Sequence, residues 1–333
     1  MSVTDLSTIE RFVRSIPKTE THLHLEGALP YQLLHELDPE RFPINPEFRQ
    51  NGYKYPNFTY FEDLLIEHAV AWYNSAERYH QAAKAIFTDL LNRNVRYLET
   101  SVHLANAEFM GFDPREFGPA IKDAVPEGME VRLIAAFTRD GNSEFMKPVI
   151  DSLHTWEEID GIDMHGKEWL DLEDWALPLW KRCKDAGKIV KAHAGEFGGP
   201  EKIYEALDQL GVDRIQHGVR AIEDADLVDR LASERIVLDV CPLSNEKLQV
   251  FPSLEEHSLK SLIDAGVICT INTDDPLCFA NTIEDEYMAL ASRLDFSLSD
   301  LAEIAKNGFR HARMSDESKS EFIQKIDTEL KLV

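Results

Sequence analysis

The sequence predicts an α/β protein built as a closed (β/α)8 barrel, with extra helices inserted after the first strand. Short apolar, β-branched runs alternate with longer stretches of helical periodicity, and this alternation predicts a parallel sheet. Eight such units fit a chain of 333 residues, and the first of them is not followed by the GxGxxG loop of a dinucleotide-binding fold. These observations favour a barrel over an open, doubly wound sheet.

The eight predicted strands run evenly along the chain from residue 18 onward. They cover residues 18–25, 95–102, 131–137, 159–164, 189–193, 214–217, 236–241 and 267–272. A helical stretch follows each strand, so we expect residues 1–333 to form a single barrel domain.

The interval between the first two strands, residues 29–94, is much longer than an ordinary βα loop and should contain helices. Active sites of such barrels lie at the carboxyl ends of the strands, so this insertion should cover the mouth of the site. It is rich in aromatic residues, namely Tyr53, Tyr55, Phe58, Tyr60, Phe61, Trp72 and Tyr73. These rings fit either a pocket wall or a separate small core.

The overall charge argues against nucleic acid and anionic membranes as partners. The chain has 35 Lys and Arg against 60 Asp and Glu, a formal charge of −25, which would repel phosphate groups. The four cysteines are widely spaced and fit reduced, buried thiols, and we identify neither a signal peptide nor a membrane-spanning run. We therefore expect a cytoplasmic protein with a small-molecule substrate, whose oligomeric state the sequence does not indicate.

Four residues suited to bind a metal lie at predicted strand ends. His22 and His24 alternate on the first strand and so point to the same side, while His193 ends the fifth strand and Asp274 follows the eighth. Singly, each fits a buried histidine or a helix cap. Together, in a barrel interior expected to be apolar, three imidazoles and one carboxylate predict one Zn²⁺ per chain.

Three further polar residues follow the same strands. His217 ends the sixth strand and could take a proton from an activated water or orient the water, and Glu196 lies in a glycine-rich turn where a shielded carboxyl could stay protonated. Asp275 directly follows Asp274 and could face a ligand. Their simpler explanations are a structural histidine and two carboxylates at helix starts.

Five sequence motifs in this order resemble the adenosine deaminase family of the amidohydrolase superfamily, from about residue 17 to the region of His311. They are PKTETHLHLEG from Pro17, HAGE from His193, His217-Gly218, CPLSN from Cys241 and TDDP from Thr273. The resemblance implies that His22, His24, His193 and Asp274 bind one zinc and that His217 and Asp274 position the attacking hydroxide.

The resemblance also implies the reaction: zinc hydroxide adds to C6 of an adenine-type purine while Glu196 protonates N1, and ammonia leaves. It places Asp275 against N7 of the ring and the backbone amide of Gly166 against N3. On this basis we predict adenosine deamination to inosine first. Adenine, or an adenine compound modified at the 5′ end or at N6, is the alternative.

The sequence departs from the adenosine-specific pattern at Glu26. That branch carries Asp here and uses it against the ribose 5′-hydroxyl, and an added methylene moves the carboxylate by about 1 Å, enough to disturb a hydrogen bond. The purine ring is therefore better assigned than its N9 substituent.

Three other interpretations were weighed. His24-Leu25-Glu26 imitates half of the HxE and PCxxC signature of the cytidine-type zinc deaminases, but the chain has no CxxC. A binuclear amidohydrolase needs a bridging lysine near the end of the fourth strand, for which Lys167 is the only candidate. A catalytically inactive relative would have lost a metal ligand or the acid, and all are present.

Overall fold

In the computed structural model, which describes residues 5–333, eight parallel strands form one sheet in sequence order. The strands are β1 (Lys18–His24), β2 (Val95–His103), β3 (Glu130–Thr138), β4 (Gly161–His165), β5 (Ile189–Ala194), β6 (Arg214–His217), β7 (Val237–Val240) and β8 (Ile268–Ile271). The predicted (β/α)8 barrel is confirmed.

Sixteen α-helices surround this sheet in the described part of the chain. They are α1 (Leu6–Ser15), α2 (Tyr31–Leu37), α3 (Phe58–Trp72), α4 (Ala76–Asn92), α5 (Asn106–Met110), α6 (Phe117–Lys122), α7 (Lys147–Ser152), α8 (Ala176–Asp185), α9 (Pro200–Glu205), α10 (Ala225–Ser233), α11 (Pro242–Lys247), α12 (Leu259–Asp264), α13 (Pro276–Phe279), α14 (Ile283–Arg293), α15 (Leu298–His311) and α16 (Asp316–Leu332). Among the described residues, no helix is both long and apolar enough to cross a bilayer.

The seam between the first and last strands closes the barrel just beyond the end of β8. Leu23 bridges to Asp274 in parallel. The backbone N–H of Asp274 donates to the carbonyl of His22 at 3.1 Å, and the N–H of His24 donates to the carbonyl of Asp274 at 3.1 Å. The segments that carry three of the predicted metal ligands therefore also hold the first and last strands together.

Several strand ends differ from the prediction because an apolar run reports burial and not hydrogen bonding. β4 begins two residues late, since the Leu133 N–H donates to the Asp160 carboxylate at 2.8 Å and not to a backbone carbonyl at this point of the sheet. β7 and β8 are each one residue shorter at both ends. Cys241 leaves the sheet because Pro242 begins α11 there.

The predicted helical insertion consists of α2, α3 and α4. Asn57 caps α3 by accepting from the Tyr60 N–H at 2.9 Å, and Ser75 caps α4 by accepting from the Arg78 N–H at 3.3 Å. Its aromatic residues serve both of the expected purposes. Phe58 and Phe61 line the central cavity, whereas Tyr55 and Tyr73 are fully buried in the core.

The barrel interior below the site is charged and not apolar. The Arg214 guanidinium lies 2.5 Å from an Asp239 oxygen and 3.3 Å from a Glu99 oxygen, and Lys191 pairs with the same Glu99. All four side chains are buried. Buried charges are tolerated only when they are paired, so these four side chains hold one another in place in the barrel interior directly beneath the site.

A separate buried cation lies where the first strand begins. The Lys18 ammonium donates to the carbonyls of Val13 at 2.6 Å and Ile16 at 2.9 Å, next to the end of α1. Burial lowers the pKa of Lys18 to about 7.

Candidate active site

The three histidines predicted as metal ligands converge at the carboxyl end of the barrel. His193 Nε2 lies 3.1 Å from His22 Nε2 and 3.3 Å from His24 Nε2. Asp274 Oδ1 lies 3.4 Å from His22 Nε2 and 3.2 Å from His24 Nε2. A tetrahedron with arms of about 2.0–2.1 Å, the usual length of bonds from zinc to nitrogen or oxygen, has edges of about 3.3–3.4 Å. The spacing of these donor atoms therefore fits a single zinc ion.

The opposite ring nitrogen of each histidine has its own partner. The Nδ1 atoms of His22, His24 and His193 lie 2.9 Å from the carbonyl of Asp239, 2.9 Å from Ser101 Oγ and 3.2 Å from Asp163 Oδ2, respectively. Such partners fix the ring orientation and leave Nε2 free to bind a metal. The donor set therefore fits a metal centre in its surroundings as well as in its spacing.

Asp274 and His217 both adopt a strained backbone conformation at the ends of their strands. Their φ angles are +66° and +65°, in the left-handed region that non-glycine residues rarely occupy. Burial alone would raise the pKa of Asp274, but the neighbouring histidines, His22 first, hold it well below its usual value. Asp274 is therefore ionised, as a metal ligand must be, and its second oxygen accepts from Ser244 Oγ at 2.7 Å.

Glu196 is held next to His217. Its Oε2 lies 3.4 Å from His217 Nε2, and its Oε1 accepts from the Asn245 amide at 3.4 Å. Burial, reinforced by the charges of Asp274 and Glu168, raises the pKa of Glu196 well above its usual value. This shift favours the protonated form of Glu196, the form that its shielded position in the sequence predicts.

The carboxylate of Glu168 holds the turn that carries Glu196. It accepts from the backbone N–H groups of Phe197 at 2.8 Å, Gly198 at 2.9 Å and Glu196 at 3.2 Å, and it also bonds to that of Gly195. Sequence reasoning did not single out Glu168. The same loop begins with Gly166, which lines the cavity with a φ of +82° that favours glycine.

Asp275 lies against Gly27 in the HLEG motif. A Cβ on Gly27 would fall 1.6 Å from Asp275 Oδ1, so only glycine leaves room for this carboxyl group. That oxygen is buried without a hydrogen-bond partner in the described part of the chain, and the residue lines the cavity. Burial, with the adjacent Asp274 charge, raises the pKa of Asp275 well above its usual value, which favours the protonated form of this group.

Glu26 also lines the cavity and is tightly held through one oxygen. Its Oε1 accepts from the Tyr79 hydroxyl at 2.8 Å, the backbone N–H of His103 at 3.1 Å and the Asn106 amide at 3.3 Å. Among the described residues no hydrogen bond reaches Oε2, and Glu26 lines the cavity. Burial raises the pKa of Glu26 to about 7.

The walls of the cavity divide by polarity. Phe58, Phe61 and Leu65 of α3 form an apolar side. Another part of the lining consists of His103 and His165, which end β2 and β4 and whose ring nitrogens, Nδ1 and Nε2, are 3.1 Å apart. Sequence reasoning missed both, although a histidine ending a barrel strand is the same signal that identified His193 and His217.

Five carboxylates and no lysine or arginine line this cavity, counted over residues 5–333. The carboxylates belong to Glu26, Glu62, Glu196, Asp274 and Asp275. Lys167, weighed as a bridging ligand, instead lies 3.3 Å from Glu62 Oε2 with a third of its side chain exposed.

A (β/α)8 barrel with three histidines and an aspartate converging at its carboxyl end defines a hydrolase of the amidohydrolase type. The family described as Adenosine deaminase matches residues 17–329, and the chain belongs to it.

Named relatives agree with this class. An adenine deaminase from Ralstonia pickettii is 32% identical over 334 residues, covering 96% of this chain and 97% of its own. Another from Hahella chejuensis is 31% identical over 329 residues, covering 96% and 98%. The crystal structure of adenine deaminase from Arthrobacter aurescens shares 28% identity and a TM-score of 0.85, covering 95% of this chain and 99% of that one. The protein is a purine deaminase.

Proposed function

We propose that this purine deaminase acts on free adenine, converting adenine and water to hypoxanthine and ammonia, with one zinc ion held by His22, His24, His193 and Asp274. The observation that carries the proposal is Glu26, a buried carboxylate with one oxygen saturated by three donors and the other directed to the cavity. When bound, zinc supplies a water whose pKa is lowered to about 7, which makes it a nucleophile at neutral pH.

Three donors match the three acceptor nitrogens of the adenine ring. The protonated carboxyl of Glu196 donates to N1, the protonated carboxyl of Asp275 donates to N7, and the backbone N–H of Gly166 donates to N3. Since N1 and N7 flank the carbon that loses its amino group, two buried neutral acids hold C6 in place. Burial favours the protonated form of both acids.

Proton transfer from Glu196 to N1 draws electron density away from C6 and prepares it for attack by water. Asp274 stays ionised beside the attacking water, and His217 orients that water from the other side. The carbon–nitrogen bond then breaks; of the two protons of the water, one leaves with ammonia and the other restores the proton that Glu196 gave to N1. These roles follow the residue-by-residue expectation from the sequence.

The N9 side of the ring distinguishes a free base from a nucleoside. A free adenine carries an N9–H donor, and a nucleoside carries a sugar there. In the family this side faces the position of Glu26, whose free oxygen is an acceptor suited to N9–H. Tyr79, Asn106 and the His103 backbone hold the carboxyl group in place, so it cannot move aside for a ribose without breaking three hydrogen bonds.

The charge of the cavity argues against nucleotides as substrates. Phosphate recognition in proteins relies on arginine, lysine or a helix N-terminus. The lining offers carboxyl groups and imidazoles instead, and burial lowers the pKa of His103 to about 4, which keeps that ring uncharged. The relatives named adenine deaminase support the same substrate, so adenine takes precedence over the adenosine that the sequence motifs alone placed first.

The test compares adenine with 9-methyladenine, which lacks the N9–H donor, in zinc-loaded wild type and Glu26→Gln. Glutamine keeps its carbonyl oxygen toward the three donors and turns its NH₂ group into the cavity, where it opposes the N9–H of adenine. We expect kcat/KM for adenine to fall by about 10- to 100-fold, the cost of an unmade hydrogen bond to a charged group. The value for 9-methyladenine should not fall with it.

Glu62→Gln is the matched control, because it neutralises another carboxylate of the same cavity that pairs with Lys167. It should change both substrates by the same factor. Equal losses for the two purines in Glu26→Gln, or a wild-type preference for adenosine over adenine, would contradict the proposed substrate.

A further inference from the structure

We infer that His257, which lies outside the cavity, is a positioning residue that acts through Asn245 to fix which ring nitrogen of His217 carries the proton. The side chains of His257, Asn245 and His217 form a hydrogen-bonded chain that leads into the site. The inference rests on the proposed function for its effect on turnover, but the protonation pattern itself can be measured without any substrate.

The first step is the protonation state of His257. The backbone N–H of Leu259 donates to His257 Nδ1 at 3.0 Å, so Nδ1 is an acceptor and carries no proton. The single proton of the neutral ring must then be on Nε2. The ring is almost fully buried and packs on Phe251 with centroids 4.6 Å apart, and burial lowers the pKa of His257 to about 3, so the ring stays neutral.

The second step is the orientation of the Asn245 amide. His257 Nε2 lies 3.1 Å from Asn245 Oδ1, and since this nitrogen bears a proton, it donates to that oxygen. The amide NH₂ group must therefore point the other way. It lies 3.2 Å from His217 Nδ1 and 3.4 Å from Glu196 Oε1.

The third step is the consequence for His217. An NH₂ group donates, so His217 Nδ1 accepts and the proton of the neutral ring is on Nε2. This Nε2 lies 3.4 Å from Glu196 Oε2 and 3.9 Å from Asp274 Oδ2, at the reacting end of the site. His217 therefore presents an N–H donor there. It orients water and does not take a proton from it, which decides between the two roles that the sequence left open.

The same amide also places the proton of Glu196. Its second NH₂ hydrogen is directed to Oε1, so the carboxyl proton is left on Oε2. Asn245 thus determines which atom carries the proton on both His217 and Glu196. Among the described residues, only His257 donates to Asn245 Oδ1. Without this donor, the Asn245 amide is free to rotate by half a turn, which would present its oxygen to His217 and reverse the histidine's tautomer.

The experiment combines ¹⁵N NMR of zinc-loaded enzyme labelled at histidine with steady-state kinetics on adenine. The His217 signals are assigned by comparison with His217→Gln, and the nitrogen shifts distinguish a protonated from an unprotonated Nε2. Wild type should show Nε2–H. In His257→Phe, which keeps a ring against Phe251 but has no donor, His217 should lose this single tautomer and kcat should fall by about 10- to 100-fold with KM nearly unchanged.

His257→Gln supplies an N–H near the lost Nε2 and should restore kcat and the tautomer together. His80→Phe is the control for removing a half-buried imidazole, since His80 bonds to the Ala120 carbonyl, lies 3.6 Å from an Asp123 carboxylate oxygen and is outside the site. Wild-type His217 protonated on Nδ1 would overturn the inference directly, even if the variants did not fold. If His257→Gln loses as much kcat as His257→Phe, then His257 contributes only packing and the inference is wrong. The first of these results does not depend on whether adenine is the substrate.

Discussion

Replacing Gly27 with alanine tests whether the close approach of Asp275 to this residue serves purine recognition. The added Cβ would lie 1.6 Å from Asp275 Oδ1, whereas ordinary contact begins at 3.4 Å, so the oxygen must move by about 1.8 Å, the difference of the two distances. A hydrogen bond of about 2.8 Å does not survive such a shift. The carboxyl group would therefore lose the contact with N7 that we propose for it.

The expected loss is about 1–3 kcal/mol of transition-state binding, the cost of an unmade buried hydrogen bond, or about 5- to 150-fold in kcat/KM for adenine. The comparison substrate is 7-deazaadenine, which has no N7 acceptor. Wild type should prefer adenine by a similar factor, and Gly27→Ala should reduce this preference towards one because its loss falls on adenine alone. Zinc content and thermal midpoint are measured in parallel.

Gly187→Ala serves as the control for backbone strain, because Gly187 has a φ of +77° and a Cβ there would contact nothing within 4 Å. That substitution should lower stability without changing the preference for adenine. If Gly27→Ala keeps the wild-type ratio of adenine to 7-deazaadenine, the carboxyl group of Asp275 does not bind N7 and the assignment is wrong.

Two further predictions concern the metal and the buried lysine. His193→Ala should abolish zinc retention, measured by elemental analysis, together with turnover; retained turnover would refute the ligand assignment. Lys18 has a pKa of about 7 when folded against a usual value of 10.5, so the unfolded chain binds more protons between these values and the free energy of unfolding should rise with pH across that window. Lys18→Met should remove this part of the pH dependence in chemical denaturation from pH 7 to 10, and an unchanged slope would show that the lysine is not buried as described.

The fold could be read from the sequence because parallel strands buried on both faces produce continuous apolar runs. Strand ends could not, since Ile236, Cys241 and Val267 continue such runs without pairing in the sheet. An apolar barrel interior was also expected from the sequence. Lys191 and Arg214 show that the interior tolerates paired charges. A cluster of polar residues could therefore occur there by chance more easily than in an apolar interior.

The site was predictable where chemistry coincides with a strand end. His22, His24, His193, Glu196, His217, Asp274 and Asp275 all meet within one cavity or at its floor. His257 and Glu168 were out of reach, because their influence depends on hydrogen bonds to Asn245 and to a backbone turn that only coordinates reveal. The direction of a hydrogen bond leaves no trace in residue spacing.

Because the barrel closes between Leu23 and Asp274, the proposed metal ligands also bear on how the barrel is held together. The ring of strands has one place where its two ends meet, and His22, His24 and Asp274 stand on both sides of that junction. An ion bound by these side chains would therefore hold this junction closed, and its binding free energy would add to the stability of the whole barrel. Removing the ion with a chelator should therefore destabilise this junction before the other strand pairings. Loss of activity and opening of the barrel should then occur together.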